Sequence, residues 1–290
     1  MKLKKLLAVG IAVVMMTGLA ACGGGDGGTS GGGESIADIM KKAEEALENV
    51  GSMNYDMVMD MEMSAQGQTM ASSTSGQIAY IADPLKMKMD MTVDAGGQST
   101  AMQMYAEQIG DDYAMYMSMD GTNWMKQTIT DAAELEQYSA EASMDMYLES
   151  AESFKEAGEE TVNGMDAVKY EGVIAEDTMN EVMENAGMVE QLAGMGISEE
   201  QAEAMYKDLG QLPIAIWIAK DSGLPVKYEM DMTEFMQKLM DNVMAEMGEQ
   251  AEGSEITVGK MMVSMTISGF DSVEDFEIPE AAKNAQEAAF

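Results

Sequence analysis

Apolar and polar residues alternate with a period of two along several segments of this chain. In residues 53–63, methionine or tyrosine occupies every second position, and most of the intervening residues are acidic or carry an amide. Residues 85–93 and 113–119 repeat the pattern, mainly with methionine at the alternating positions. Because successive side chains of a strand point to opposite faces, each segment predicts a β-strand with one apolar face.

Turn-forming residues separate these segments from one another and from two weaker strands, which are predicted at residues 76–82 and 100–109. Closely spaced strands and turns of this kind favour an antiparallel meander with one face toward water. The turn signals are Asp83-Pro84, Gly96-Gly97, Gly110-Asp111 and Asp120-Gly121.

The second half of the chain mixes helical and strand patterns. Its strands bring the total to about eleven, without the regular strand–helix alternation of a doubly wound sheet, so the predicted class is α+β. Helices are predicted at residues 131–158, in a polar insertion at 176–209, at 235–247 and after Ile278. Strands are predicted at residues 161–163, 167–174, 212–219, 225–232 and 256–270.

The first 21 residues have the pattern of a secretory signal peptide. Three lysines precede an uncharged apolar run at residues 6–19, and small residues follow before Cys22. The run is shorter than the ~20 residues that span a bilayer, which favours a cleaved signal over a transmembrane anchor. The sequence Leu19-Ala20-Ala21-Cys22 resembles the lipobox of bacterial lipoproteins, which implies a lipid-modified N-terminus at Cys22. An ordinary signal peptide with an incidental cysteine is the alternative.

A glycine-rich segment follows Cys22. Residues 23–35 contain eight glycines and no large apolar side chain, so the segment cannot bury enough surface to offset the entropy of ordering it. We therefore divide the chain into a signal peptide at 1–21, a lipidated cysteine with a tether at 22–35, and a folded domain at 36–290. The expected location is the extracytoplasmic face of the cell membrane.

Composition excludes several classes of function. Without the three lysines of the signal peptide, 13 lysines stand against 52 acidic residues, and the net charge changes from −36 to −39. Such a surface repels nucleic acids and anionic headgroups, so no nucleic-acid partner is expected and membrane attachment is assigned to the acyl chains. The chain has no histidine, no arginine and no cysteine besides Cys22. Histidine-dependent nucleophiles and zinc sites built from histidine or cysteine are excluded, and we predict no enzyme, metal or cofactor.

One hairpin carries a family resemblance. Residues 214–227 read IAIWIAKDSGLPVK, an apolar strand with Trp217, a turn, and then Leu-Pro-Val-Lys. This hairpin resembles one in LolA-like lipoprotein carriers, in the mycobacterial LppX/LprG lipoproteins and in an uncharacterised lipoprotein family of Firmicutes. Residues 270–281 are similar to the end of that last family. The resemblance implies a curved, incompletely closed antiparallel β-barrel whose concave face is covered by helices and encloses an apolar cavity.

Methionine is the most unusual component, with 36 methionines among 290 residues. They could simply fill the core, because methionine adapts to irregular gaps. They could instead line a cavity for acyl chains, since flexible thioethers repack around different ligands. Soft thioether sulfurs also suit Cu(I). The candidate lining residues are Met57, Met59, Met61, Met87, Met89, Met91, Met115, Met117 and Trp217; for Trp217, an ordinary core position is the alternative.

The leading hypothesis is a non-enzymatic, membrane-anchored binder or carrier of a hydrophobic ligand such as a lipid or acyl chain. One alternative is a structural or adaptor lipoprotein whose interior is filled by its own side chains. A second alternative is a methionine-based Cu(I)-binding protein. The expected partners are the membrane, through the lipid anchor, and the hydrophobic ligand; no protein partner can be named.

Overall fold

The computed structural model describes residues 35–110, 112–129, 153–176, 178–179, 198–247 and 256–287. These residues form twelve strands and four helices. The strands are β1 (Ser52–Ala65), β2 (Gln68–Ala82), β3 (Leu85–Ala95), β4 (Gln98–Ile109), β5 (Asp112–Ser118), β6 (Met125–Ile129), β7 (Lys155–Val162), β8 (Met165–Ile174), β9 (Leu212–Ala219), β10 (Pro225–Asp231), β11 (Ile256–Ser268) and β12 (Gln286–Glu287). The helices are α1 (Ile36–Leu47), α2 (Glu199–Met205), α3 (Thr233–Met247) and α4 (Glu280–Lys283).

All twelve strands belong to one sheet, in the order β12-β6-β5-β4-β3-β2-β1-β11-β10-β9-β8-β7. Neighbouring strands are antiparallel, except that β12 pairs in parallel with β6 over two residues. Strand β1 lies near the middle and joins the N-terminal meander β1–β6 to the later strands through β11. The order has two ends, so the sheet is not closed. The predicted α+β class with an incompletely closed antiparallel sheet is confirmed.

The two faces of the sheet differ in what covers them. We call the face that carries Tyr55, Ile78 and Met89 the inner face, and the opposite one the outer face. The buried residues of the inner face form one core cluster with residues of α1 and α3. Helices α1 and α3 therefore cover the inner face of the sheet, in agreement with the expected covering helices.

Helix α1 forms because its N-terminus is capped and one of its sides is apolar. The Ser35 hydroxyl accepts a hydrogen bond from the backbone N–H of Asp38 at 3.1 Å, which satisfies one free donor of the first turn. Met40, Ala43 and Leu47 recur at helical spacing and are buried. The buried stripe holds α1 against the inner face.

Helix α3 is fastened to the start of β11, where β10 no longer pairs with that strand. The side-chain oxygen of Gln237 accepts a hydrogen bond from the N–H of Val258 at 2.7 Å, and its amide donates to the carbonyl of Ile256 at 3.1 Å. The Thr233 hydroxyl accepts from the N–H of Met261 at 3.0 Å. These side chains take the place of a strand partner and hold α3 against the start of β11.

Several predictions need correction or lie outside the described residues. Residues 155–158, predicted as the end of a helix, belong to strand β7, and residues 131–152 are not described. Helix α1 and strand β6 are not among the predicted elements. The signal peptide, Cys22 and nearly all of the tether also fall outside the described ranges. In the part of the chain that is described, no helix is both long and apolar enough to cross a membrane.

Candidate ligand-binding face

Strand register places methionines side by side in rows across the inner face. Residues directly opposite each other in antiparallel strands have Cβ atoms about 4.5–5.5 Å apart, so members of a row are neighbours. One row runs from β11 to β4 as Met265, Met57, Gly76, Met91 and Met102. The next row runs from β11 to β5 as Ile267, Tyr55, Ile78, Met89, Met104 and Met117.

The predicted methionines lie on this face but differ in burial. Met57, Met87, Met89 and Met91 belong to the buried core, and Met87 is only 1% exposed. The remaining four are half-buried; Met59, Met115 and Met117 pack against the core from its margin. Met61, the fourth, pairs with Met261 on the neighbouring strand β11. The structure therefore separates core-filling methionines from methionines that retain accessible surface.

Sequence reasoning missed two methionines that belong to these rows. Met102 and Met104 on β4 pair with Met91 and Met89 on β3. Met104 is buried and Met102 is half-buried against the core. The signal was present, because the two residues alternate with Gln103 and Tyr105 within the predicted strand at 100–109.

Gly76 interrupts the first methionine row in the middle of the sheet. A Cβ atom at this position would lie 3.3 Å from Cγ of Met91 and 3.6 Å from Cε of Met57. The backbone of Gly76 does not have positive φ, so its role is to make space and not to allow a turn. The missing side chain lets the flanking methionines converge over β2.

The inner face is electrically neutral in the meander. Its positions on strands β1 to β5 carry no acidic or basic side chain. Tyr55, a polar member of the face, is 2% exposed, and burial raises the pKa of its hydroxyl above the ordinary value. An uncharged, thioether-rich surface suits apolar ligands, because burying an unpaired charge is costly whereas methionine repacks readily.

Charged residues of the same strands lie on the outer face, and several of them are paired there. Asp60 accepts hydrogen bonds from Lys260 and Ser73, both at 2.8 Å, and the bond from Lys260 is the main reason that the pKa of Asp60 is lowered. Lys88 contacts Asp90 at 2.8 Å, which raises the pKa of the lysine. The alternation seen in the sequence thus sorts charge to one face and sulfur to the other.

Trp217 does not join the methionines, and its prediction as a lining residue is wrong. Its side chain belongs to a separate cluster with Val162, Ala167 and Ala219 on the outer face. The indole Nε1 donates a hydrogen bond to the Glu160 carboxylate at 2.8 Å. On β9 the inner positions are Leu212, Ile214, Ile216 and Ile218, which belong to the main core. Trp217 therefore has the core role that was its alternative.

A second cluster on the outer face is formed by the C-terminal segment over β4 and β5. Ile278 and Ala282 pack with Tyr105 and Tyr116, and Trp124 lies against Tyr105 with ring centroids 5.6 Å apart. This segment also closes the edge of β6, where the Glu287 carboxylate accepts a hydrogen bond from the N–H of Thr128 at 2.7 Å. The C-terminus therefore stabilises the side of the sheet opposite the methionine rows.

Within the described ranges, no three histidine, cysteine, aspartate or glutamate side chains come together as a group that could hold a metal ion. The chemistry that the inner face offers there is dispersion contact and burial of apolar surface.

The architecture described above, an open antiparallel sheet with helices over an apolar face, can be compared with those of known proteins. The chain belongs to DUF6612, a family of unknown function, whose family model matches residues 35–287. No curated protein sequence matches the chain.

Several solved structures are similar at low sequence identity. The lipoprotein LppX of Mycobacterium tuberculosis is 13% identical with a TM-score of 0.44, covering 83% of this chain and 98% of that one. LprF from Mycobacterium bovis is 12% identical with a TM-score of 0.45, covering 85% and 97%. A DUF1329 family protein from Desulfovibrio piger is 11% identical with a TM-score of 0.26, covering 83% and 93%.

Proposed function

We propose that this protein is a non-enzymatic lipoprotein, anchored at the extracytoplasmic face of the membrane through Cys22, that binds a lipid or acyl chain on its inner face. One observation supports the proposal most strongly. The uncharged inner face carries methionines whose side chains range from fully buried to half-buried. Met59, Met102, Met115 and Met117 offer thioether surface that a ligand could cover. Transfer of apolar surface from water would supply the affinity, at about 25 cal/mol per Å².

The buried part of the face has a different role in this proposal. Met87 and Met89 are 1% and 2% exposed among the protein's own side chains, so they form the floor on which a ligand would rest. Flexible thioethers at the margin can adopt new rotamers around ligands of different shape. This division assigns stability to the buried methionines and ligand contact to the half-buried ones.

A structural or adaptor role is the second candidate, and the same burial favours it. A core that is already filled at Met87 and Met89 needs no ligand to be stable. In that case the half-buried methionines would be the edge of an ordinary core. A Cu(I) site built from thioethers stays a prediction for the same set of residues.

Native mass spectrometry distinguishes these functions. Residues 22–290 with Cys22→Ser would be purified without detergent, and the native mass compared with the denatured mass. We expect a removable adduct of lipid size, or uptake of added fatty acid or phospholipid. A clean mass with no uptake would support the structural role and contradict the carrier. Cu(I) uptake that survives a competing chelator would favour the metal site.

A pair of variants locates the ligand. Met115→Glu places a charge at a half-buried position of the inner face, and Val58→Glu places one on β1 at a position that is 42% exposed. Val58 alternates with the inner-face residues Met57 and Met59, so it points to the outer face. We expect Met115→Glu to lose the adduct and Val58→Glu to keep it. Equal binding by both folded variants would contradict binding on the inner face.

A further inference from the structure

Charged side chains are scarce in three segments of strands β1 to β4 and β11. Residues 63–82 contain no charged side chain, residues 92–103 contain only Asp94, and residues 256–259 contain none, although 23% of the whole chain is charged. In a chain with 52 acidic residues and 16 basic ones, such a gap is not expected from composition. The gap spans segments that are distant in sequence.

Strand pairing brings parts of these segments together at one end of the strands. Ala65 at the end of β1 pairs with Gln68 of β2 and with Ile256 of β11. Ala95 at the end of β3 pairs with Ser72 of β2 and with Gln98 of β4. The turns at Gln66-Gly67 and Gly96-Gly97 therefore point from the same end of the sheet. We call residues 63–72, 92–100 and 256–259 the hairpin rim.

The inner face becomes more exposed toward this rim. Along β1, Met53 and Met57 are 0% and 4% exposed, Met59, Met61 and Met63 are half-buried, and Met70, which pairs with Met63, is 62% exposed. Along β3, exposure rises from 1% at Met87 to 8% at Met91 and 37% at Val93. Apolar surface therefore continues from the core to the rim instead of ending inside the sheet.

We infer that the hairpin rim contacts the lipid bilayer. Acidic side chains are repelled by anionic headgroups and are costly to remove from water, so a rim with exposed Met70 and Val93, whose one charged side chain is that of Asp94, is suited to approach a membrane. The tether brings the domain within range, because 12 residues lie between Cys22 and Ser35 and an extended chain spans at most about 3.3–3.6 Å per residue. Each rim contact is weak alone, but tethering raises its effective concentration.

The inference rests on the proposed membrane attachment, and its test replaces the acyl anchor so that the two can fail separately. Residues 22–290 with Cys22→Ser and an N-terminal histidine tag would be held on phosphatidylcholine vesicles that contain a nickel-chelating lipid. The chain has no histidine of its own, and without Cys22 it has no cysteine. Met70→Cys or Ile109→Cys then gives a unique site for an environment-sensitive fluorophore.

Ile109 is the matched control, because it is 51% exposed and lies at the end of β4 away from the rim. We expect the label at position 70 to shift to shorter wavelength and to be quenched when spin-labelled lipid is included, and the label at position 109 to do neither. Equal quenching at both positions, or none at position 70, would overturn the inference. If the fluorescence at position 70 shifts without vesicles, and the shift grows with protein concentration, the rim contacts a second copy of the protein and the inference is overturned.

A charge introduced at the rim provides an independent measurement. Val93→Glu should remove the quenching at position 70, because the new carboxylate resists entry into the interface. Val58→Glu, with similar exposure on the outer face of β1, should leave the quenching unchanged. Loss of the signal in both variants would mean that added charge acts through the whole protein, and that the rim has no special contact.

Discussion

The Nζ atom of Lys227 lies 4.3 Å from the ring centroid of Trp217, and the Nζ of Lys169 lies 4.9 Å from it, on neighbouring strands at either side. The ring is 1% exposed and its N–H is bonded to Glu160. Two cations over one indole, each also paired with a glutamate two residues further along its own strand, fasten β8, β9 and β10 on the outer face. This arrangement is remote from the methionine rows.

We therefore predict that Trp217→Phe lowers the free energy of unfolding without affecting ligand uptake. Loss of indole volume, of the bond to Glu160 and of part of the cation–π attraction should cost about 1–3 kcal/mol. Urea denaturation gives the stability, and native mass spectrometry gives the uptake. Lys220→Gln is a suitable control, since the exposed pair of Lys220 with Glu159 should contribute less than about 1 kcal/mol. If folded Trp217→Phe no longer takes up ligand, Trp217 contributes to ligand binding and this prediction is wrong.

The location of Trp217 also shows where sequence patterns stop being informative. Residues 214–219 are apolar at odd and even positions alike and are buried on both faces of the sheet. Without alternation, the sequence does not indicate on which face the indole lies. In contrast, β1 and β3 alternate sharply, and both their strand character and the shared face of their methionines follow from the sequence. Trp217 lies on the outer face because it packs there with residues of neighbouring strands. These strand pairings join segments that are distant in sequence, and local patterns do not predict them.

Strand β7 illustrates a second limit. Residues 131–158 are rich in alanine and glutamate, a composition that favours helix, yet residues 155–158 are in a strand that is exposed over seven of its eight residues. Pairing with β8 overrides the local preference, because strand formation depends on neighbours more than on intrinsic propensity. Helix α1 is not predicted for a different reason. It is only 12 residues long and directly follows a glycine-rich segment, so its apolar stripe is a weak signal in the sequence.

Gly76 gives a prediction about space in the methionine rows. Gly76→Ala should change stability by less than about 1 kcal/mol, because alanine loses less backbone entropy than glycine on folding, and this gain offsets a close approach to Met91. Gly76→Leu should cost about 1–3 kcal/mol through overpacking and should reduce ligand uptake. Gly259→Leu is the matched control, because its Cβ would approach the flexible end of Glu62. Undiminished uptake by Gly76→Leu would place the ligand away from this row.

Methionine oxidation should report the ligand without any substitution. Under mild peroxide, Met70 and Met119, at 62% and 65% exposure, should oxidise first, and Met87 and Met89 last. The half-buried Met102, Met115 and Met117 should react at intermediate rates and become protected when ligand is bound. Peptide mapping by mass spectrometry follows each site, with Met70 and Met119 as internal controls. Protection that is absent, or equal at all methionines, would contradict binding on the inner face.

Asp120 gives a pH-dependent prediction. Its Oδ1 accepts hydrogen bonds from the N–H groups of Asn123 at 2.7 Å and Thr122 at 2.9 Å, and these bonds lower the pKa of the carboxyl group. A pKa that is lower in the folded state means that the carboxylate stabilises the fold above the unfolded pKa of about 3.9, and that this stabilisation is lost as the pH falls through the folded pKa.

Asp120→Asn keeps an acceptor oxygen but removes the titration. The stability difference from wild type should therefore be constant between about pH 7 and pH 5 and should shrink below about pH 4. Urea denaturation across this range measures it. Asp112→Asn, an exposed position at the other end of β5, reports the general effect of removing one negative charge. A difference between wild type and Asp120→Asn that grows on acidification would show that the loop does not hold the carboxylate in its charged form.

The last prediction concerns the residue on which membrane attachment depends. If Cys22 is acylated, cells fed labelled fatty acid should incorporate it into this protein, and the mature chain should begin at residue 22. Cys22→Ser should lose the label and leave the membrane fraction, because at about 0.8 kcal/mol per buried CH₂ the acyl chains supply most of the attachment. The double variant Cys22→Ser, Ser30→Cys tests whether a cysteine alone is sufficient for acylation, because it restores a cysteine without the preceding Leu-Ala-Ala. That variant should also stay unlabelled. Membrane retention of Cys22→Ser at the wild-type level would instead show that the anchor lies elsewhere in the chain.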